Sequence, residues 1–145
     1  GVERAEIVLH VGPGTFRPVK GDPEKHARRA EPYAIPEEGA GAVNRAKAEG
    51  RRVVAVGTTV VRALESAYRE GVGVVAGEGE TRLFIRPPYT FKVVDALFTN
   101  FHLPRSSLLM LVAAFLGRER TLEAYRLAVA EGYRFYSLGD AMLIL

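Results

Sequence analysis

The sequence predicts an α/β fold, a mixed and largely parallel sheet with flanking helices, on three observations. Arg52 to Val56 (RVVAV) is a short apolar run of the kind that buried parallel strands use, and Gly57-Thr58-Thr59 leads it into the amphipathic segment VVRALESAYREG. A second helix signal over 36–49 precedes that unit, and further β-rich segments follow it, which is the alternation that layers helices on a sheet. The composition completes the case: 145 residues, 48% hydrophobic, 26% charged and a formal net charge of +3 describe one ordered α/β domain over 1–145, not a disordered chain.

The elements follow in order. Ile7 to Val11 reads as a strand that the GPG at Gly12 to Gly14 must end, because Pro fixes φ while Gly admits positive φ. From Arg17 to Pro36 the chain is charged, carries Pro18, Pro23, Pro32 and Pro36, and lacks apolar periodicity, so a long loop with at most one helical turn is expected. Pro36 then opens a helix, with Glu37 and Glu38 in its first turn and Gly50 at its C-terminal cap, although Gly39 and Gly41 stand where better helix formers are expected. After the strand of Arg52 to Val56, helix 59–70 places Val60, Val61, Leu64, Ala67 and Tyr68 on one face. Val72 to Val75, Arg82 to Ile85 and Phe91 to Val94 read as β segments. Pro104 and Ser106 begin an apolar helix to Leu116, Thr121 is placed to cap the next one, and Gly132 ends it. YRFYSL and AMLIL read as two final strands.

Several chemistries are excluded outright. With no Cys there is no thiolate nucleophile, no Cys-bound zinc and no iron–sulfur cluster. Three His and no HExxH argue against a dedicated metal site. The longest wholly apolar run, Leu108 to Leu116, falls well short of the roughly 18–20 residues that span a bilayer, so no membrane partner is expected. No export signal is visible, and the lack of Cys is compatible with a cytoplasmic protein. The first residue is not Met, which reads as a piece of something longer.

Four segments are suited to chemistry. VAVGTTVVRALE places a Gly turn at the carboxyl end of a strand and a helix N-terminus behind it, where backbone amides and the Thr58 and Thr59 hydroxyls can meet a ribose, phosphate or carboxylate. Equally, Thr59 can serve only as the helix cap. VVDALFTNFHLPRSSLLMLV concentrates Asp95, Asn100, His102, Arg105 and Ser106 between two apolar segments, so their side chains need partners or a cleft. His102, held just before Pro104, is suited to proton transfer or to tying its loop to the backbone. His10 alternates away from Ile7, Leu9 and Val11, toward either a ligand or plain solvent. Last, Tyr133, Phe135 and Tyr136 interleave with Arg134, the pairing of ring faces and guanidinium that meets nucleic acid, or else an alternating strand. Arg28, Arg29, Arg51 and Arg52 can meet phosphates or remain solvated.

Taken together, LHVGPGTFRPV, VGTTVVRALES, PPYTFKVVDALFTNFHLP with SSLLMLVAAF, and YRFYSLGDAML closely resemble the C-terminal part of the S-adenosylmethionine:tRNA ribosyltransferase-isomerase family of queuosine biosynthesis. The resemblance covers essentially the whole chain. It implies a partial copy of a larger two-domain enzyme whose inserted β-barrel domain is missing. It also implies an activity: transfer of the ribosyl part of S-adenosylmethionine onto an aminomethyl-deazaguanine in tRNA, rearranged to the epoxycyclopentenyl product epoxyqueuosine, with release of adenine and methionine. S-adenosylmethionine would be a co-substrate, with no permanently bound cofactor and no metal. The partners would be that co-substrate and the precursor tRNA, and the protein a cytoplasmic monomer.

Within the matching blocks the resemblance suggests His102 and His10 as acid/base candidates. Thr58, Thr59 and Asn100 would make substrate hydrogen bonds, Asp95 and Asp140 would touch ribose or sulfonium, and Arg134 with Tyr133 would face tRNA. A carbanion beside a sulfonium needs a base, and departure of adenine is helped by protonation. One segment departs from the family pattern. Where HxMHxE is usual, His26 to Glu31 keeps the first His and the Glu but has Arg28 and Arg29 in place of Met and the second His. The alternative reading is a non-catalytic tRNA-binding or scaffolding fragment.

Overall fold

The first helix, α1 (Glu37–Ala48), lies where the sequence places it, and its ends show why: Glu37 and Glu38 face the positive end of its dipole, while Arg45 and Lys47 face the negative end. Its buried face is made of small residues, Gly39, Ala40, Ala42, Val43 and Ala46. Gly39 has a specific reason to be small, since a Cβ there would lie 3.2 Å from the Glu6 carbonyl oxygen. The computed structural model describes residues 1–13, 18–19, 21 and 29–145; His26 and Arg28 lie outside the described residues.

The remaining elements are β1 (Val8–Leu9), β2 (Glu31–Ile35), β3 (Val54–Val56), α2 (Thr58–Ala67), β4 (Tyr68–Arg69), β5 (Gly73–Val74), β6 (Gly77–Thr81), β7 (Ala96–Asn100), α3 (Ser107–Leu116), α4 (Arg118–Ala130) and β8 (Ala141–Ile144). Among the described residues they form two three-stranded sheets, β1-β2-β6 and β3-β7-β8, and the hairpin β4-β5. The expected largely parallel sheet is therefore corrected: only β3 and β7 pair parallel, and every other described pair is antiparallel. The reason lies in the connection. After α2 the chain makes a long excursion through β4, β5 and β6, which find antiparallel partners, before β7 returns beside β3.

Four local readings are corrected too. β2 lies inside the expected loop because Pro32, which has no N–H to give, still offers its carbonyl to the His10 amide at 2.8 Å. Phe91 to Val94 and Arg82 to Ile85 form no strand, because side chains take up their backbone groups. The Glu65 carboxylate accepts from the amides of Lys92, Val93 and Val94 at 2.9, 3.0 and 3.0 Å. Leu83 gives its carbonyl to Arg62 Nε at 3.1 Å and its amide to Thr81 Oγ1 at 3.1 Å. YRFYSL is a turn with a short 3-10 segment over Tyr136–Leu138: the Tyr136 amide donates to the Phe101 carbonyl at 2.8 Å. Finally, α4 starts at Arg118, so Thr121 lies inside it and its hydroxyl donates back to the Gly117 carbonyl at 2.7 Å.

Helix α2 organises the molecule. It packs against β1, β2, β3, β5, β6 and β7, and so joins the two sheets. Val61, Ala63, Leu64 and Ala67 enter the core, yet Arg62 and Glu65 are buried on the same helix. Glu65 is the anchor of the 89–94 segment. Burial and the adjacent Glu65 carboxylate push the Tyr89 phenol up to about 12. Glu65→Ala would leave three amides without their acceptor and is expected to lower unfolding free energy by about 2–4 kcal/mol. Glu65→Gln, which keeps one acceptor oxygen, should lose less. Urea midpoints compare the two, and equal losses would contradict the assignment.

Candidate functional site

Parallel pairing puts two turns at one edge. In β3 and β7, Val56 lies opposite Phe98, so the residues after each strand leave together at the carboxyl end. The Gly57 amide donates to the Phe98 carbonyl at 2.8 Å, which ties the two exits to each other. From the first exit come Thr58 and Thr59; from the second, Asn100, Phe101 and His102. Because β8 runs antiparallel to β7 with Ala141 opposite Asn100, Asp140 arrives at the same edge. Strand order alone thus gathers Thr58, Thr59, Asn100, His102 and Asp140.

Each local backbone explains its side chain. Gly57 has φ 95°, a left-handed conformation that glycine tolerates, and it allows β3 to break directly into α2. Its position as the capping residue corrects the reading of Thr59 as the cap: α2 begins at Thr58 and has no side-chain cap hydrogen bond. The amides of its first turn are therefore not claimed by a capping side chain, the arrangement that favours an anionic or polar ligand atom. Thr58 is buried and Thr59 half-buried. Ser106, by contrast, stands one residue before α3 and caps it, accepting from the Leu109 amide at 3.1 Å.

His102 is 7% exposed. Its Nε2 lies 3.0 Å from Thr99 Oγ1, and its amide donates to the Tyr125 hydroxyl at 2.9 Å. Among the described residues Nδ1 has no hydrogen-bond partner. Burial without a carboxylate beside it lowers the imidazole from its ordinary 6.5 to about 4, so the ring is neutral at pH 7. The consequence for stability has a definite sign. Between those two values the unfolded chain binds the proton and the folded chain does not, so stability is complete above about pH 6.5 and is lost as pH falls through about 4. The loss expected from this group is about 3 kcal/mol. Unfolding followed from pH 7 to pH 4 should show that slope, and His102→Gln should flatten it; an unchanged slope would rule the histidine out as its source.

The ring environment was not legible in the sequence. Phe101 lies 5.4 Å from Tyr125, 5.6 Å from Tyr133 and 5.2 Å from Phe135, ring centre to ring centre. These rings bring α4 and the turn after it against the His102 loop. Tyr133 keeps half its surface exposed while its ring meets the edge of this cluster. Arg134 and Asp140, assigned separately above, meet each other: Arg134 Nε and Nη2 reach the two carboxylate oxygens at 3.1 and 3.2 Å. That pairing holds the Asp140 carboxyl below the usual carboxylate range. Asn100 Nδ2 donates to the Asp140 carbonyl at 3.3 Å.

Two expected site residues lie elsewhere. Asp95 precedes β7 and so sits at the opposite end of the strand, where it accepts from Lys47 Nζ and from the Val53 amide, each at 2.8 Å. His10 belongs with the other sheet, on the face that alternates away from buried Glu31, Tyr33 and Ile35. There it lines a groove of about 420 Å³ together with Pro32, Ala34, Glu78 and Glu80. No hydrogen bond among the described residues joins His10 to His102 or to the threonines. Sequence reasoning also missed Arg62, whose ion pair with Glu31 is buried at both ends; the Glu31 carboxylate accepts as well from the Gly12 amide at 2.8 Å. The one available signal was a charged residue inside an apolar helical stripe. No described group of three or more His, Cys, Asp or Glu could hold a metal ion, and no described helix is long and apolar enough to cross a membrane.

The comparisons with known proteins follow that geometry. The profile of a family described as "Queuosine biosynthesis protein" matches residues 1–144. The chain is 92% identical over its whole length to an S-adenosylmethionine:tRNA ribosyltransferase-isomerase of Thermus thermophilus, covering 42% of that protein. It is 62% identical to the Moorella thermoacetica protein of the same name, covering 43% of it. A crystal structure of an S-adenosylmethionine tRNA ribosyltransferase from Thermotoga maritima superposes with a TM-score of 0.78 at 50% identity, over 97% of this chain and 44% of that one. The chain thus spans less than half the length of the relatives it matches.

Proposed function

Because the chain belongs to the queuosine biosynthesis protein family, we propose that it supplies one wall of the active site of an S-adenosylmethionine:tRNA ribosyltransferase-isomerase. The reaction is transfer and isomerisation of the ribosyl group of S-adenosylmethionine onto an aminomethyl-deazaguanine in tRNA, giving epoxyqueuosine, adenine and methionine. The observation that supports this reading is the shared carboxyl edge of β3 and β7, at which the backbone of Thr58, Thr59, Asn100 and His102 lies.

The roles follow from chemistry at that edge. First-turn amides of α2, with the Thr58 and Thr59 hydroxyls, hydrogen-bond the polar groups of the sulfonium nucleoside. Asn100, fixed by its bond to the Asp140 carbonyl, orients the same substrate. His102 is neutral at the working pH, so it acts as proton acceptor rather than as the donor to departing adenine. In the tautomer whose Nε2–H donates to Thr99 Oγ1, Nδ1 carries the lone pair that a base requires. Arg134, whose Nη1 makes no hydrogen bond among the described residues while Nε and Nη2 hold Asp140, and the exposed ring of Tyr133 face the tRNA. Asp140 acts through Arg134. His10 and Asp95, set apart from this edge, would reach substrate only through a surface other than the one His102 shares.

A second reading has one observation in its favour, the chain's 42% share of its Thermus relative: a tRNA-binding or scaffolding part whose chemistry needs residues elsewhere. Incubating the chain with S-adenosylmethionine and precursor tRNA and assaying free adenine separates the two. Adenine release supports the catalytic reading; tRNA binding that weakens with salt, without release, supports the second.

A further inference from the structure

The sheet β3-β7-β8 has one face packed into the core and an opposite face that is largely exposed, with only Ala96, opposite Val54, fully buried on it. Helix α2 packs on β3 and β7, and Ala55, Leu97 and Ile144 point into the core. On the other side Val56, Phe98 and Leu143 stand opposite one another across all three strands. They are 67%, 44% and 54% exposed, and Val54 and Leu145 extend the same apolar surface at 48% and 76%. No charged side chain interrupts it within the strands.

We propose that this face is the docking surface for the rest of the family polypeptide, the part of the relatives' length that lies outside the region matched here. Two observations select that occupant. A parallel pair such as β3-β7 is stable where both of its faces are covered, and patches of this kind on soluble proteins mark contact surfaces. Further, the Thermus relative aligns over 145 residues with all 145 residues of this chain, yet that alignment is 42% of the relative. The additional polypeptide is therefore not spread through this region as insertions, and it is available as a separate body to cover the sheet. A second copy of this chain is the competing occupant. The inference is independent of the catalytic assignments above.

Hydroxyl-radical labelling of this chain and of the complete Thermus relative tests it. Phe98 and Leu143 should label readily in the isolated chain, and the aligned positions should label several-fold more slowly in the complete protein. Equal labelling in both would overturn the proposal. So would protection in the isolated chain: if it grows with concentration the occupant is a second copy, and if it does not the face is not open. A substitution gives a second readout. Val56→Lys should leave the urea midpoint of this chain nearly unchanged, because the side chain is 67% exposed there, while Lys at the aligned position should lower the midpoint of the complete protein. No fall in the complete protein would equally overturn the assignment.

Discussion

Replacing Arg62 with Leu while Glu31 remains will lower the unfolding free energy by about 3–5 kcal/mol, the usual cost of breaking a buried ion pair by removing one member of it. The guanidinium is fully buried on α2, with Nη1 on Glu31 Oε2 and Nε on the Leu83 carbonyl at 3.1 Å. Its Nη2 has no described partner, so the arrangement is not an ideal one. For that reason the paired replacement Arg62→Leu with Glu31→Leu should cost less than the single one, since it removes both charges together. Urea denaturation followed by far-UV circular dichroism measures each variant. A single replacement that shifts stability no more than a surface change, about 0.5 kcal/mol, would show that the pair does not hold α2 to β2.

His102→Ala, introduced at the aligned position of the complete enzyme, will lower turnover by about 10²-fold or more if the imidazole accepts a proton in the reaction. Thr99→Val offers a finer test. It removes the hydroxyl 3.0 Å from Nε2 but keeps the volume, so the ring stays in place without its anchor. Turnover should fall while the affinity for S-adenosylmethionine changes little. Near-normal turnover of the His102 variant would remove its catalytic role, and a fall confined to folding yield would assign the residue to holding the 100–106 loop.

Much of the local structure could be read from the chain because the deciding interactions are local. Pro36 with two following acids specifies where α1 starts, Ser106 accepts from an amide three residues on, and RVVAV and AMLIL form the strands that their apolar runs suggest. The errors share a different cause. Val93 and Val94 have the composition of a strand, yet their amides are taken by Glu65, nearly thirty residues earlier. Tyr133 to Tyr136 alternate like a strand, but Asp140 takes the Arg134 amide and Phe101 the Tyr136 amide. β2 was hidden by Pro32, whose carbonyl alone carries its contact with His10.

By itself the sequence determined the apolar faces of its helices, where α1 and α3 begin, and the blocks that carry the family resemblance, since each depends on neighbours along the chain. Only the tertiary structure decided which residues share an edge. Parallel pairing of β3 with β7 put the threonines, Asn100 and His102 at the same carboxyl end of the sheet, and the same pairing carried Asp95 to the far end. The neutrality of His102 was likewise a tertiary outcome, because it comes from burial of the ring, and no spacing along a chain encodes how deeply a ring will be buried.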